Sequence, residues 1–348
     1  MLTRHVHLII CCVFVLSPAT GANLGGTDVN KTAQQYIAEF RRWASVKPND
    51  SVQSLVGNRG VDKASLSTLA KELSTGTPPV RENIVRLLEL VGLKLDPANP
   101  AEFPTIRDHS VIRALAVEGF SRDDAAAILA ESILRKRCRP SDLAAINDVY
   151  IKSLQRSNGE YLYLVAKAKT TQARDLVENL AQSPAWREHE GRVQLVRIAQ
   201  AALGNTAVED KFIEAVFEAE RNAPPAPKNE FYDVSEARDG EEVAERLEFL
   251  GLIGTRRSLR VACSYLRSSL KAYVPNASEQ SIRYAALHAI AYNFPEERIL
   301  SHPVKVTEWA AAEQFCAENL GAVYEGPTPN FQPDRPYPTH IRPGRAQS

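Results

Sequence analysis

The sequence predicts an all-α protein built from repeated helix pairs, and three observations carry that expectation. From about residue 63 to residue 320, apolar residues recur at helical spacing between short breaks at "STGTPP", "DPANP", "CRPSD", "RSNG" and "NAPPAPK", with almost no sustained strand-type alternation. The segment "SIRYAALHAIAYN" (281–293) is apolar on nearly every side. Ile282, Ala285, Ala286, Ala289 and Ile290 make one face, and Tyr284, Leu287, His288, Ala291 and Tyr292 cover most of the other, so both faces need a cover. The third observation is that the spacing within this segment returns elsewhere in the chain.

Taken in order, the chain opens with Arg4, His5 and His7 ahead of the apolar run "LIICCVFVL" (8–16) and the small-residue stretch "SPATGA" (17–22). That is the layout of a secretory signal, residues 1–22, with cleavage expected after Ala22 or, as second choice, Ala19. Spanning a bilayer takes about 20 apolar residues, so no membrane span is expected in the mature chain, and a secreted or periplasmic location follows. Residues 23–62 read as a polar lead and a capping helix, in which Tyr36, Ile37, Phe40, Trp43 and Ala44 recur on one face of "TAQQYIAEFRRWASV" (32–46). Residues 63–325 form the repeat region.

Within it one helix is legible from end to end. Ser121 is its expected cap, Asp123 and Asp124 its first turn, and Arg135, Lys136 and Arg137 its last turn, with Pro140 beyond. The run "RKRCR" (135–139) admits an anion site or an activated thiol at Cys138, but cations complementing a helix C-terminus already explain it. "EYLYLV" (160–165) has strand propensity yet no sheet to join. The tail, 326–348, has too much proline and too few aliphatic residues to pack and is expected to be disordered.

The repeat can be written as an arginine with small or apolar residues three, six, seven and eight places later: Arg283, Ala286, Ala289, Ile290, Ala291. "VRENIVRLLELVG" (80–92) carries Arg81, Ile84, Leu87 and Leu88; "LVRIAQAALGN" (195–205) carries Ala199, Ala202 and Leu203, with its arginine slipped to Arg197. "EEVAERLEFLGLIG" (241–254) keeps the ending, and "SVIRALAVEGFS" (110–121) is a poorer copy. After each copy a second amphipathic helix follows. These residues resemble the HEAT-repeat family, in particular its bilin-lyase-type HEAT-like class, over about three quarters of the chain. The resemblance implies a right-handed α-solenoid of about five or six helix pairs. A helix clamped between its partner and two neighbouring repeats needs small residues for close approach, which is what 281–293 offers.

The function classes narrow by what is missing. Lys plus Arg equals Asp plus Glu at 42 each, so no overall field draws the chain to nucleic acid. No metal-ligand spacing, paired Cys motif or nucleophile motif is found, and the seven histidines are scattered. Ser268 and Lys271 fit an SxxK spacing with no supporting motif, and "GEEVAERLE" reads as a solvated helix face. No catalytic residues, metal or cofactor are therefore assigned. Beyond the signal three cysteines remain. Cys263 and Cys316 are the better pair if a disulfide forms; the other reading, commoner for free cysteine, makes Cys138, Cys263 and Cys316 small buried hydrophobes. Asn30, Asn49 and Asn276 begin glycosylation sequons.

The expected function is non-enzymatic: a scaffold that binds a protein or peptide on a concave face. Tyr284, His288 and Tyr292, at i, i+4 and i+8, are the candidate binding ridge, unless the C-terminal helix with Trp309 and Phe315 covers them. The alternatives are a tetrapyrrole (bilin) lyase or isomerase, as the family resemblance implies, and a structural envelope component.

Overall fold

The computed structural model describes residues 32–45, 52, 63–94, 105–122, 124–154, 161–224, 240–273, 279–297, 300 and 306–327. The expected signal at 1–22, the three sequons and the tail beyond 327 lie outside these residues.

What is described is mostly helical. Helices α1 (Ala33–Ser45), α2 (Lys63–Thr75), α3 (Pro78–Gly92), α4 (His109–Ser121) and α5 (Ala125–Arg137) lead to a 3₁₀ segment (Pro140–Ile146), then α6 (Asn147–Ser153), α7 (Leu162–Lys167) and α8 (Thr171–Gln182). After a single helical turn, α9 (Pro184–Arg187), come α10 (Glu190–Ala202), α11 (Thr206–Asn222), α12 (Glu241–Ile253), α13 (Arg256–Ser264), α14 (Ile282–Ala291) and α15 (Val306–Phe315), which ends in a π-turn (Cys316–Leu320). Two short antiparallel ladders, β1 (Leu93–Lys94) with β2 (Thr105–Ile106) and β3 (Lys271–Tyr273) with β4 (Glu279–Ser281), tie the links that precede α4 and α14.

Packing follows chain order in two rows. In the first, α1 lies on α3 and α3 on α5, while α7, α10, α12 and α14 continue in the same manner. Tyr163 of α7 donates to Glu131 of α5 and carries that row across its middle. In the second, α2, α4, α6 and α8 are successive neighbours, as are α11, α13 and the terminal π-turn. One apolar core runs through both rows, from Ala33 to Ala322. At the start of the chain, Tyr36, Ile37, Phe40 and Trp43 bury one face of α1 and Gln34, Gln35, Arg41 and Arg42 leave the other wet.

The small residues mark the crossings. A Cβ on Gly251 would stand 2.7 Å from Ala289 Cα and 3.0 Å from its carbonyl oxygen, so α12 and α14 touch backbone to backbone. A Cβ on Gly119 of α4 would meet Glu131 N and Ala127 O of α5 at 3.4 and 3.6 Å, an ordinary contact. On α14, Ile282, Ala286, Leu287, Ala289 and Ile290 are all buried, because α12 and α13 both pack on it.

Several helix ends are closed by side chains of neighbouring helices. Asp124 caps α5 through Ala126 N and Ala127 N and also pairs with Arg81 of α3, which itself pairs with Glu118 of α4. Thr170 caps α8 and receives Asn147 of α6. Thr255 caps α13 and donates to Glu209 of α11, whose carboxylate also accepts from Ser258 N at 3.1 Å. At C-termini, Arg122 reaches Ser74 O, Arg174 reaches Leu203 O, and Arg260 reaches Leu320 O at 3.0 Å.

Two local expectations change. Ser121 is the last residue of α4, and Asp124 is the cap of α5, its carboxylate accepting from Ala126 N and Ala127 N. The strand-prone "EYLYLV" stretch yields α7, with Leu162 to Lys167 all buried, because helices surround it and burial outweighs strand propensity. Of the repeat arginines, Arg81 and Arg283 are buried, while the slipped Arg197 is exposed and Val196 takes the buried position.

Replacing Gly251 by Ala is expected to cost about 1–3 kcal/mol, the usual penalty for overpacking a rigid contact. Gly191→Ala, at a position with nothing within 4 Å, should be neutral or stabilise by roughly 0.4–1 kcal/mol. Urea unfolding of the two variants checks the contrast.

Candidate functional site

The ridge Tyr284, His288 and Tyr292 divides among three surroundings. Tyr284 is half-buried, its ring edge-on to Trp309 of α15 at 5.3 Å. Phe315 meets Phe294 instead, at 5.1 Å. Tyr292, just past α14, lies beneath the guanidinium of Arg135, 4.7 Å from the ring centroid. His288, between them, is exposed.

Tyr292 thereby belongs to a junction of ionisable groups where α5, α7, α12 and the end of α14 converge. Glu131 and Arg135 come from α5, one helical turn apart; Tyr163 and Lys167 from α7, with the same spacing; Glu248 and Gly251 from α12; and Tyr292 and Asn293 from the turn after α14. The Arg135 guanidinium stands 3.6 Å from Glu248 and 3.9 Å from Glu131. The Lys167 amine donates to Gly251 O at 3.0 Å, and Asn293 Nδ2 donates to the same carbonyl at 2.9 Å and to Ala289 O at 3.0 Å. Gly251 therefore serves twice, since its missing side chain admits α14 and its carbonyl receives Lys167. Lys169, with φ of +52°, lies two residues beyond α7 and just before the Thr170 cap.

Burial sets the electrostatics. The Lys167 pKa is brought down to about 7, first by burial and then by the like charge of Arg135. Burial, then Glu131, pushes the Tyr163 phenol well above its usual range. Burial opposes the charge on Arg135, but Tyr163, Glu131, Tyr292 and Glu248 outweigh it and raise its pKa. Glu248 is raised by burial against the pull of Arg135.

The cationic run 135–139 is resolved here. Arg135 turns inward to the junction and Arg137 pairs with Glu89 at 3.4 Å, so neither is simply a solvated cation on the helix dipole. Burial, with Asp142 nearby, pushes the Cys138 thiol up, away from the thiolate that an activated cysteine needs. Glu248, expected on a solvated face, is a member of the junction. Sequence reading missed the junction as a unit, and the signal it offered was Lys167 closing an otherwise apolar "YLYLVAK" (161–167).

Cys263 and Cys316 form a disulfide, Cα to Cα 6.1 Å, that ties α13 to the terminal π-turn. Arg267 pairs with Glu313 at 2.8 Å beside it, and Tyr324 donates to Cys263 O at 2.9 Å. Among the described residues no group of three or more His, Cys, Asp or Glu side chains is placed to hold a metal ion, and no helix is long and apolar enough to cross a membrane. No protein-family model, curated protein or solved structure matches the chain.

Cys138 is expected to resist a maleimide at pH 8 in the native protein and to react only after unfolding, with mass spectrometry as the readout. Fast native labelling would contradict its placement.

Proposed function

We infer that the protein is an exported helical scaffold, a HEAT-like α-solenoid that binds a protein or peptide along the face of its first row. Export rests on the signal-like start of the chain. The solenoid reading is supported by the chain-ordered packing of both rows and by glycine at the crossings. Binding is carried by one observation: His288 stands exposed on α14 between two half-buried tyrosines. Aromatic bodies with polar tips are the surfaces that anchor partners.

Small-angle scattering tests the architecture. A compact globule of this length has a radius of gyration of about 20 Å, and the solenoid must exceed it clearly. Affinity capture from the exported fraction of the source cells tests the face. Tyr284 and Tyr292 are half-buried and His288 is exposed, so His288→Glu is the probe. One partner recovered in stoichiometric amount by the wild type and lost by His288→Glu at unchanged melting temperature is the expected result. Equal recovery by both proteins rejects the face.

A further inference from the structure

The Lys167 amine is enclosed, and among the described residues no counter-ion is paired with it. It ends α7, every residue of which is buried, and its hydrogen bond runs to Gly251 O in the last turn of α12. Among the described residues no carboxylate lies within ion-pair distance of it. The nearby carboxylates are engaged elsewhere, Glu131 with Tyr163 and Arg135, and Glu248 with Arg135. Tyr163 offers its ring, 6.0 Å from the amine.

The other elements around α7 supply no balancing charge. Asp142 of the 3₁₀ segment pairs with Arg139 at 3.0 Å. Arg174, Asp175 and Glu178 of α8 and Glu190 and Arg197 of α10 are exposed, and Arg192 lies over Trp186. On α12, Glu241, Glu242 and Glu245 are exposed and Arg246 pairs with Glu242. From beyond α14 come Tyr292, under Arg135, and the neutral amide of Asn293. An ammonium at this point would meet burial and the like charge of Arg135 with one carbonyl and the distant ring of Tyr163 to answer it. A neutral amine needs only that carbonyl.

We propose that Lys167 makes the contact between α7 and α12 a proton-dependent latch, closed on the neutral amine and loosened when the amine takes up a proton. When the contact opens, the amine returns to water and to a pKa of about 10.4; closed, it titrates near 7. Between those values opening takes up one proton, so the opening constant grows up to about tenfold for each unit that pH falls. Below 7 both forms are charged and the dependence levels off, leaving the latch loosest at and below neutral pH and tightest in alkali. The same contact holds Arg135 against Glu248 and Tyr292, so loosening it frees α5 from α12. This inference needs no partner and stands apart from the binding reading.

The test follows urea unfolding of the full chain and of Lys167→Met from pH 6 to pH 10. Met keeps an unbranched chain one atom shorter and carries no titrating group, and Asn293 still satisfies Gly251 O. Lys167→Met should be the more stable protein by a constant ratio below pH 7. That ratio should then shrink by about tenfold per unit of pH above it. Hydrogen exchange at the C-terminal amides of α12, corrected for intrinsic rates, should show the same dependence in the wild type and none in the variant. Curves that stay parallel from pH 6 to pH 10 overturn the proposal. Should Lys167→Met not fold, the Lys167 Nζ titration followed by NMR in the wild type decides alone. A midpoint near 7 upholds the latch and one near 10 ends it.

Discussion

A helix leaves its first N–H groups and its last carbonyls without partners, and a helix end enclosed in protein cannot use water to satisfy them. This protein has many short helices, so it has many such ends, and the rest of the structure depends on how they are closed. Asp124, Thr170 and Thr255 cap their own helices and are each held by a side chain from an earlier helix: Arg81, Asn147 and Glu209. Carbonyl ends are met by Arg122, Arg174, Lys167 and Arg260. Each tie sets one helix against a neighbour, so satisfying the backbone and assembling the array are one event.

Some of these ties are ionic and buried. Desolvating Arg81 and Glu118 offsets much of their attraction, so the triad with Asp124 adds little net stability over an apolar replacement, but losing one member leaves a charge alone in the core. Its worth is in specificity, since only one register of α3 on α4 and α5 brings a carboxylate to both sides of the Arg81 guanidinium. At the other end of the chain, a covalent bond reinforces the arrangement. Cys263 and Cys316 join α13 to the π-turn, and Arg256 and Arg260 close that turn at Leu320 O.

The junction around Lys167 grows from the same constraint. The crossing of α12 on α14 requires glycine at 251, and a glycine near a helix C-terminus presents its carbonyl uncovered. Lys167 and Asn293 answer that carbonyl, and the lysine does so from inside the protein. Arg135, Glu131, Tyr163 and Glu248 meet at the same junction, and burial there shifts Lys167, Tyr163 and Glu248 away from their usual ranges.

Much of this was open to reading along the chain. Apolar residues at helical spacing foretold a helical protein, and the alanines of 281–293 foretold a helix covered on both sides, because periodicity and side-chain size are local properties. The cap of α5 was misplaced by three residues, since Ser121 and Asp124 are both good caps and only the end of α4 at Ser121 chooses between them. Strand propensity at 160–165 was likewise a local truth that burial among helices overruled. Cys263 and Cys316 were named from sequence as the better pair, beside the reading of all three cysteines as free core residues, and tertiary structure chose the bond; the junction and the separate surroundings of Tyr284, His288 and Tyr292 were decided by tertiary structure alone. Each depends on residues far apart in the chain meeting at hydrogen-bond or van der Waals distance, and no spacing within a single helix records which distant helix will arrive there.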